Sequence, residues 1–102
     1  MDVALLYFDG CPNWVQTEEA VREALREVEL AEQTVTLRQV ETPEEAERLS
    51  FRGSPTVLVN GEDPFADSSD AVGLMCRVYR TEAGFAGSPT REQLIEALRT
   101  RM

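Results

Sequence analysis

Two thiols and no imidazole define the chemistry open to this chain. Cys11 and Cys76 are its only cysteines, histidine is absent, and all ten basic residues are arginine. The lack of histidine excludes Ser-His-Asp and Cys-His mechanisms, together with zinc sites built on imidazole. Ser54, Ser68, Ser69 and Ser88 have no base beside them, so a serine nucleophile is not expected. Cys11 is followed directly by Pro12 and closely precedes a helical pattern. Pro12 suits a first helical position, which puts Cys11 at the helix N-cap. There the unpaired N–H groups and the helix dipole favour the thiolate, the nucleophilic form of cysteine. Asp9 opposes that ionisation, and no lysine or histidine assists it.

The fourth position counted from Cys11 is Trp14, so no disulfide can close within this short motif. An oxidised or thiolated Cys11 must then be resolved by an outside thiol or by Cys76. Cys76 lies in Leu74-Met75-Cys76-Arg77-Val78, which reads as a strand. If that strand returns antiparallel beside residues 56–59, the thiols stand about 15 Å apart. The stretch 62–74 is also long enough to carry Cys76 elsewhere, so inert strand residue and resolving partner both stay open. In an apolar strand Cys76 is expected to be less reactive than Cys11. Trp14 serves either as core packing or as a platform over Cys11. Glu62, Asp63, Asp67 and Asp70 lack the glycine and ligand spacing of a calcium loop, and no metal site or cofactor is expected.

Positioning these residues requires a definite set of elements. Residues 3–8 are continuously apolar, as in a strand buried on both faces. Helical periodicity then runs to about Glu29, with Trp14, Val21, Leu25 and Val28 inward and a Glu18–Arg22 pair outward. Val35 and Leu37 alternate within a second strand over residues 34–40. Thr42-Pro43-Glu44-Glu45 reads as a helix start with a capping box, carrying Ala46 and Leu49 inward. Residues 56–59 form a third strand ending at the Asn60-Gly61 turn, and Pro64 bars an immediate return. Residues 75–80 form a fourth strand. Thr90 and Gln93 open a last helix holding Leu94, Ile95 and Leu98. The order is β-α-β-α-β-β-α, an α/β arrangement with helices on both faces of a four-stranded mixed sheet.

This order, with Phe8-Asp9-Gly10-Cys11-Pro12-Asn13-Trp14 and Gly53-Ser54-Pro55-Thr56, resembles the thioredoxin-like superfamily over nearly the whole chain. It looks like the small bacterial thioredoxin-like proteins, some of them selenoproteins with selenocysteine at the cysteine position. The resemblance implies a thioredoxin-like fold, Cys11 as attacking thiol and a cis peptide before Pro55 packed beside it. It also implies that Pro12, Trp14, Ser54, Pro55 and Thr56 line the substrate site, where backbone beside Pro55 pairs with an extended thiol substrate. Two widely spaced cysteines also resemble the mercury-binding pair of organomercurial lyase, for which Asp9 is the nearest carboxylate here. The readings are a thiol redox protein, a soft-metal or organomercurial binder using Cys11 and Cys76, and a redox-inactive interaction module.

At 102 residues, 42% hydrophobic and 28% charged, the composition is that of one globular domain over residues 1–102. A net charge of −9 repels phosphate backbones, so neither nucleic acid nor membrane is an expected partner. No apolar run has the length of a membrane span or the flanks of a leader, which reads as a cytoplasmic protein. The expected partners are a small thiol or disulfide, or a redox partner protein. Oligomeric state is not legible in the sequence.

Overall fold

Alternation within one strand, Val3–Tyr7 (β1), organises the molecule. Val3 and Leu5 enter a cluster on one side, while Leu6, with Ala4 against it, enters a second cluster on the other. Successive side chains of a strand point to opposite faces, so a strand apolar at every position must be covered twice. A computed structural model describes residues 1–66 and 71–102, and Ser68, Ser69, Asp67 and Asp70 lie outside the described residues.

The first cover is made by Trp14–Glu27 (α1) and Arg91–Arg99 (α3). Val21, Ala24, Leu25 and Val28 meet Leu94, Ile95 and Leu98 over Val3 and Leu5. The second is made by Pro43–Arg48 (α2) and the residues after it, through Ala46 and Phe51. Val35–Gln39 (β2) and Thr56–Val59 (β3) flank β1 in the order β2-β1-β3, with β2 parallel to it and β3 antiparallel. Leu37, expected inward, is exposed on the edge strand β2.

The sheet is therefore three-stranded and mixed, and the expected fourth strand is not part of it. Tyr79–Thr81 (β4) pairs instead with Gly84–Ala86 (β5) as a separate antiparallel ribbon. Before it, Cys76 makes an isolated parallel bridge with Ser54. The connection after β3 is long enough to travel back along that strand, so the chain re-enters at Ser54. Pairing then stops, because the Arg77 guanidinium turns onto Thr56 and onto the 63–65 loop. The three-residue β5 is exposed throughout, and such a strand leaves no alternation to read.

Helix starts follow local chemistry. Thr90 and Gln93 form a reciprocal capping box at α3. At α2, Thr42 Oγ1 accepts the Glu45 N–H, but the Glu45 carboxylate takes the Glu41 N–H, one residue earlier than the expected box. Glu18 and Arg22 pair at 2.8 Å on the outer face of α1.

Candidate functional site

The chain leaves β1 through a tight turn in which the Cys11 N–H donates to the Phe8 carbonyl at 3.0 Å. Helix α1 begins later than expected. Its N-cap is Asn13, with φ −63° and ψ −14°, so Cys11 stands two residues before the cap. Pro12 and Asn13 take up the turn, their carbonyls accepting from Val15 and Thr17 at 3.4 and 3.2 Å. Cys11 remains beside the helix N-terminus and is only 1% exposed.

Cys76 is bonded to it. The two cysteines form a disulfide with a Cα–Cα distance of 5.7 Å, within the span such a bond tolerates. This overturns the separation of about 15 Å that an antiparallel fourth strand implies. The Ser54 N–H donates to the Met75 carbonyl at 2.8 Å, and the Arg77 N–H donates to the Ser54 carbonyl at 2.9 Å. Cys76 is thereby held at the β3 end that lies beside the C-terminal end of β1, where Leu6 pairs with Thr56. Cys76 itself is exposed. Cys76 does not stand in the apolar strand expected for it, whereas Cys11 is enclosed.

Gly53, Ser54, Pro55 and Thr56 are buried around this bridge, and the Ser54–Pro55 peptide is cis. Gly53 has φ +112°, and an added Cβ would lie 3.0 Å from the Cβ of Arg77 and 3.2 Å from its backbone. Only glycine accepts both the left-handed backbone and that approach. Ser54, expected to offer its backbone to a substrate, has its N–H and carbonyl engaged by the chain's own Met75 and Arg77. Its side-chain hydroxyl is buried and has no hydrogen-bond partner among the described residues. Thr56 Oγ1 donates to the Gly53 carbonyl at 2.6 Å, which closes the turn. Pro12 is exposed, and half-buried Trp14 stacks on Tyr7 with ring centroids 4.3 Å apart. Trp14 also packs against the α1–α3 cluster, the core role.

Three residues missed by sequence reasoning fix the Cys76 segment. Arg77, adjacent to Cys76, donates to Asp63 Oδ2 at 2.7 Å and to the Phe65 carbonyl at 2.8 Å. Both side chains of that ion pair are nearly inaccessible, at 6% and 7% exposure. Tyr79 stacks under the guanidinium at 4.7 Å, and its hydroxyl donates to the Pro55 carbonyl. An arginine two positions from a tyrosine carries no sequence signal for this, since its partner comes from a separate loop. Glu62 reaches Arg101 at 3.9 Å, so it and Asp63 both face cations. Among the described residues no group of three or more acidic or thiol side chains could hold a metal, and no helix is long and apolar enough to cross a membrane.

Chemically, the arrangement is one disulfide at a strand end, joining an enclosed Cys11 to an exposed residue, Cys76, beside a helix N-terminus. Comparison with protein-family models, curated proteins and solved structures finds no match.

Proposed function

We propose that this chain is a thiol–disulfide redox protein of thioredoxin-like type, in which Cys11 and Cys76 cycle between dithiol and disulfide. The observation that carries the reading is their pairing, Cα to Cα 5.7 Å, between a helix-start residue and a segment bridged to Ser54. Supporting it are the parallel β1–β2 crossover and the cis Ser54–Pro55 bond, the latter a feature the superfamily resemblance implies. Cys76 then supplies the second thiol that a cysteine at the Trp14 position would supply. Resolution of an adduct is internal, and a small thiol or a partner protein is the external reductant.

Turnover tests the proposal directly. With dithiothreitol as electron source and insulin or an aryl disulfide as acceptor, the protein accelerates reduction. Cys11→Ser and Cys76→Ser each lose that acceleration by about a hundred-fold, because neither can close the disulfide. A wild-type rate no faster than dithiothreitol alone would sink the redox reading.

The same pairing favours a second reading. Reduced, the two sulfurs lie close enough to hold one soft cation in linear two-coordinate fashion. Stoichiometric Hg²⁺ uptake by a protein inactive in turnover would select it. A chain showing neither property is an interaction module.

A further inference from the structure

Resting on the thiol-exchange reading, the geometry points to a definite polarity: external thiols exchange with the Cys76 sulfur, and Cys11 is the sulfur that leaves. Displacement at a disulfide is in-line. The incoming thiolate approaches one sulfur along the S–S axis from the side opposite its partner, and access helps decide which sulfur is struck. An incoming thiolate that strikes Cys11 must reach a residue that is only 1% exposed. One that strikes Cys76 meets a residue that is exposed.

The leaving side is suited as well. The sulfur expelled becomes a thiolate two residues ahead of the Asn13 cap of the 14-residue α1, whose first-turn N–H groups stabilise negative charge. Cys76 precedes no helix start of its own among the described residues, and once the bond opens its sulfur is free to move away from α1. The Ser54–Cys76 bridge and the buried Arg77–Asp63 pair hold the Cys76 backbone in place while its sulfur changes partner.

The electrons balance as follows. A thiolate RS⁻ attacks Cys76 Sγ, the Cys11–Cys76 bond breaks, and its electron pair leaves on Cys11 Sγ. The product is a mixed disulfide between R and Cys76. A second RS⁻ attacks the R sulfur, forming RSSR and releasing the Cys76 thiolate. Two thiols have then given two electrons to one protein disulfide. In reverse, the Cys76 thiolate attacks a substrate disulfide, and Cys11 attacks Cys76 Sγ to free the remaining substrate thiol. Cys76 is the residue that bonds to substrate, and Cys11 resolves. This inverts the roles that the N-terminal motif implies.

Sulfitolysis of the oxidised full-length protein reads the polarity without mutation. Sulfite adds to the sulfur it strikes as an S-sulfonate and expels the other as a thiolate, which iodoacetamide caps before acid quench. Peptide mass mapping then locates each label. The expected result is S-sulfonate on Cys76 and carbamidomethyl on Cys11, about ten-fold or more over the reverse pattern. Equal labelling, or S-sulfonate mainly on Cys11, overturns the proposal. So does a native protein inert to sulfite while its urea-unfolded form reacts. Turnover is scored separately: labelled Cys76 without turnover defeats the redox reading alone, whereas turnover with S-sulfonate on Cys11 defeats the polarity alone.

Discussion

Ser54 and Cys76 are paired across a parallel β-bridge, with Ser54 donating to the carbonyl before Cys76 and accepting from the N–H after it. This pairing delivers the second thiol to Cys11, a task that sequence adjacency performs in a Cys-x-x-Cys motif. The residues beneath the bridge should therefore control the disulfide from a distance.

Gly53→Ala is the most direct probe. An alanine there must adopt φ near +112° and press on the Cβ and backbone of Arg77. The expected cost is about 1–3 kcal/mol of stability, read as a lower urea midpoint. The disulfide should also open at lower thiol concentration, because the Cys76 segment is pushed off Ser54. Unchanged values of both would show that this contact yields freely.

Removing Asp63 takes a buried carboxylate away from the Arg77 guanidinium. Asp63→Asn or Asp63→Ala should cost about 3–5 kcal/mol in urea unfolding of the oxidised protein. Replacing both partners, as in Asp63→Leu with Arg77→Met, should recover most of that loss, since the guanidinium that the carboxylate neutralises is removed with it. A double variant as unstable as the single one would place the stability elsewhere in the Arg77 contacts.

Reduction alone should lower stability by about 4 kcal/mol, since the bond joins residues 65 apart in sequence and restricts the unfolded chain. Paired urea titrations with and without dithiothreitol measure this, and Cys76→Ser should match the reduced wild type. A reduced protein as stable as the oxidised one would mean that native contacts resist the bond as much as it helps.

Ser54→Ala removes a buried hydroxyl that has no hydrogen-bond partner among the described residues. Deleting an unsatisfied polar group stabilises, here by about 1 kcal/mol in the oxidised state. A loss of comparable size in calorimetry or urea titration would instead show that the hydroxyl has a partner in solution.

Glu45 supplies a pH-dependent contribution. The Glu41 N–H, opposed by desolvation and aided by Arg38 and Arg48, lowers its carboxyl below the ordinary 4.5. A group whose folded pKa is depressed stabilises fully above the unfolded value and loses that effect as pH falls through the folded one. The stability gap between wild type and Glu45→Gln should therefore be constant above pH 4.5 and close in more acidic solution. Carboxyl titration by NMR locates the folded value, and a Glu45 midpoint at or above 4.5 would contradict the assignment.

Much of the scaffold was legible because strong local signals met little competition. The unbroken apolar run at residues 3–8 reads as a strand covered twice, and it is one over Val3–Tyr7, while Thr90 with Gln93 reads as a helix start and is one. The thiol pair was harder. Residues 75–80 do read as extended, but strand pattern carries no direction, so it does not separate an antiparallel return beside β3 from the parallel bridge at Ser54. The route actually taken depends on Arg77 finding Asp63 and on Gly53 leaving room for the Arg77 backbone. Those are tertiary contacts between segments with no periodic pattern. Cys11 was placed at the cap because Pro12 fits a first helical turn, whereas the cap falls at Asn13, where the backbone is already helical.

The bond between Cys11 and Cys76 also makes the chain a ring with two tails. The ring contains α1, α2, β2 and β3, while β1 lies in the short tail before it and β4, β5 and α3 in the tail after it. A single protease cut inside the ring leaves one covalent molecule of unchanged mass on a non-reducing gel, apart from one added water. A cut in the long tail sheds α3, and with it the Leu94, Ile95 and Leu98 side of the first core cluster. Nicking in the oxidised state is thus tolerated over most of the sequence and costly in the last part, and reduction erases the distinction.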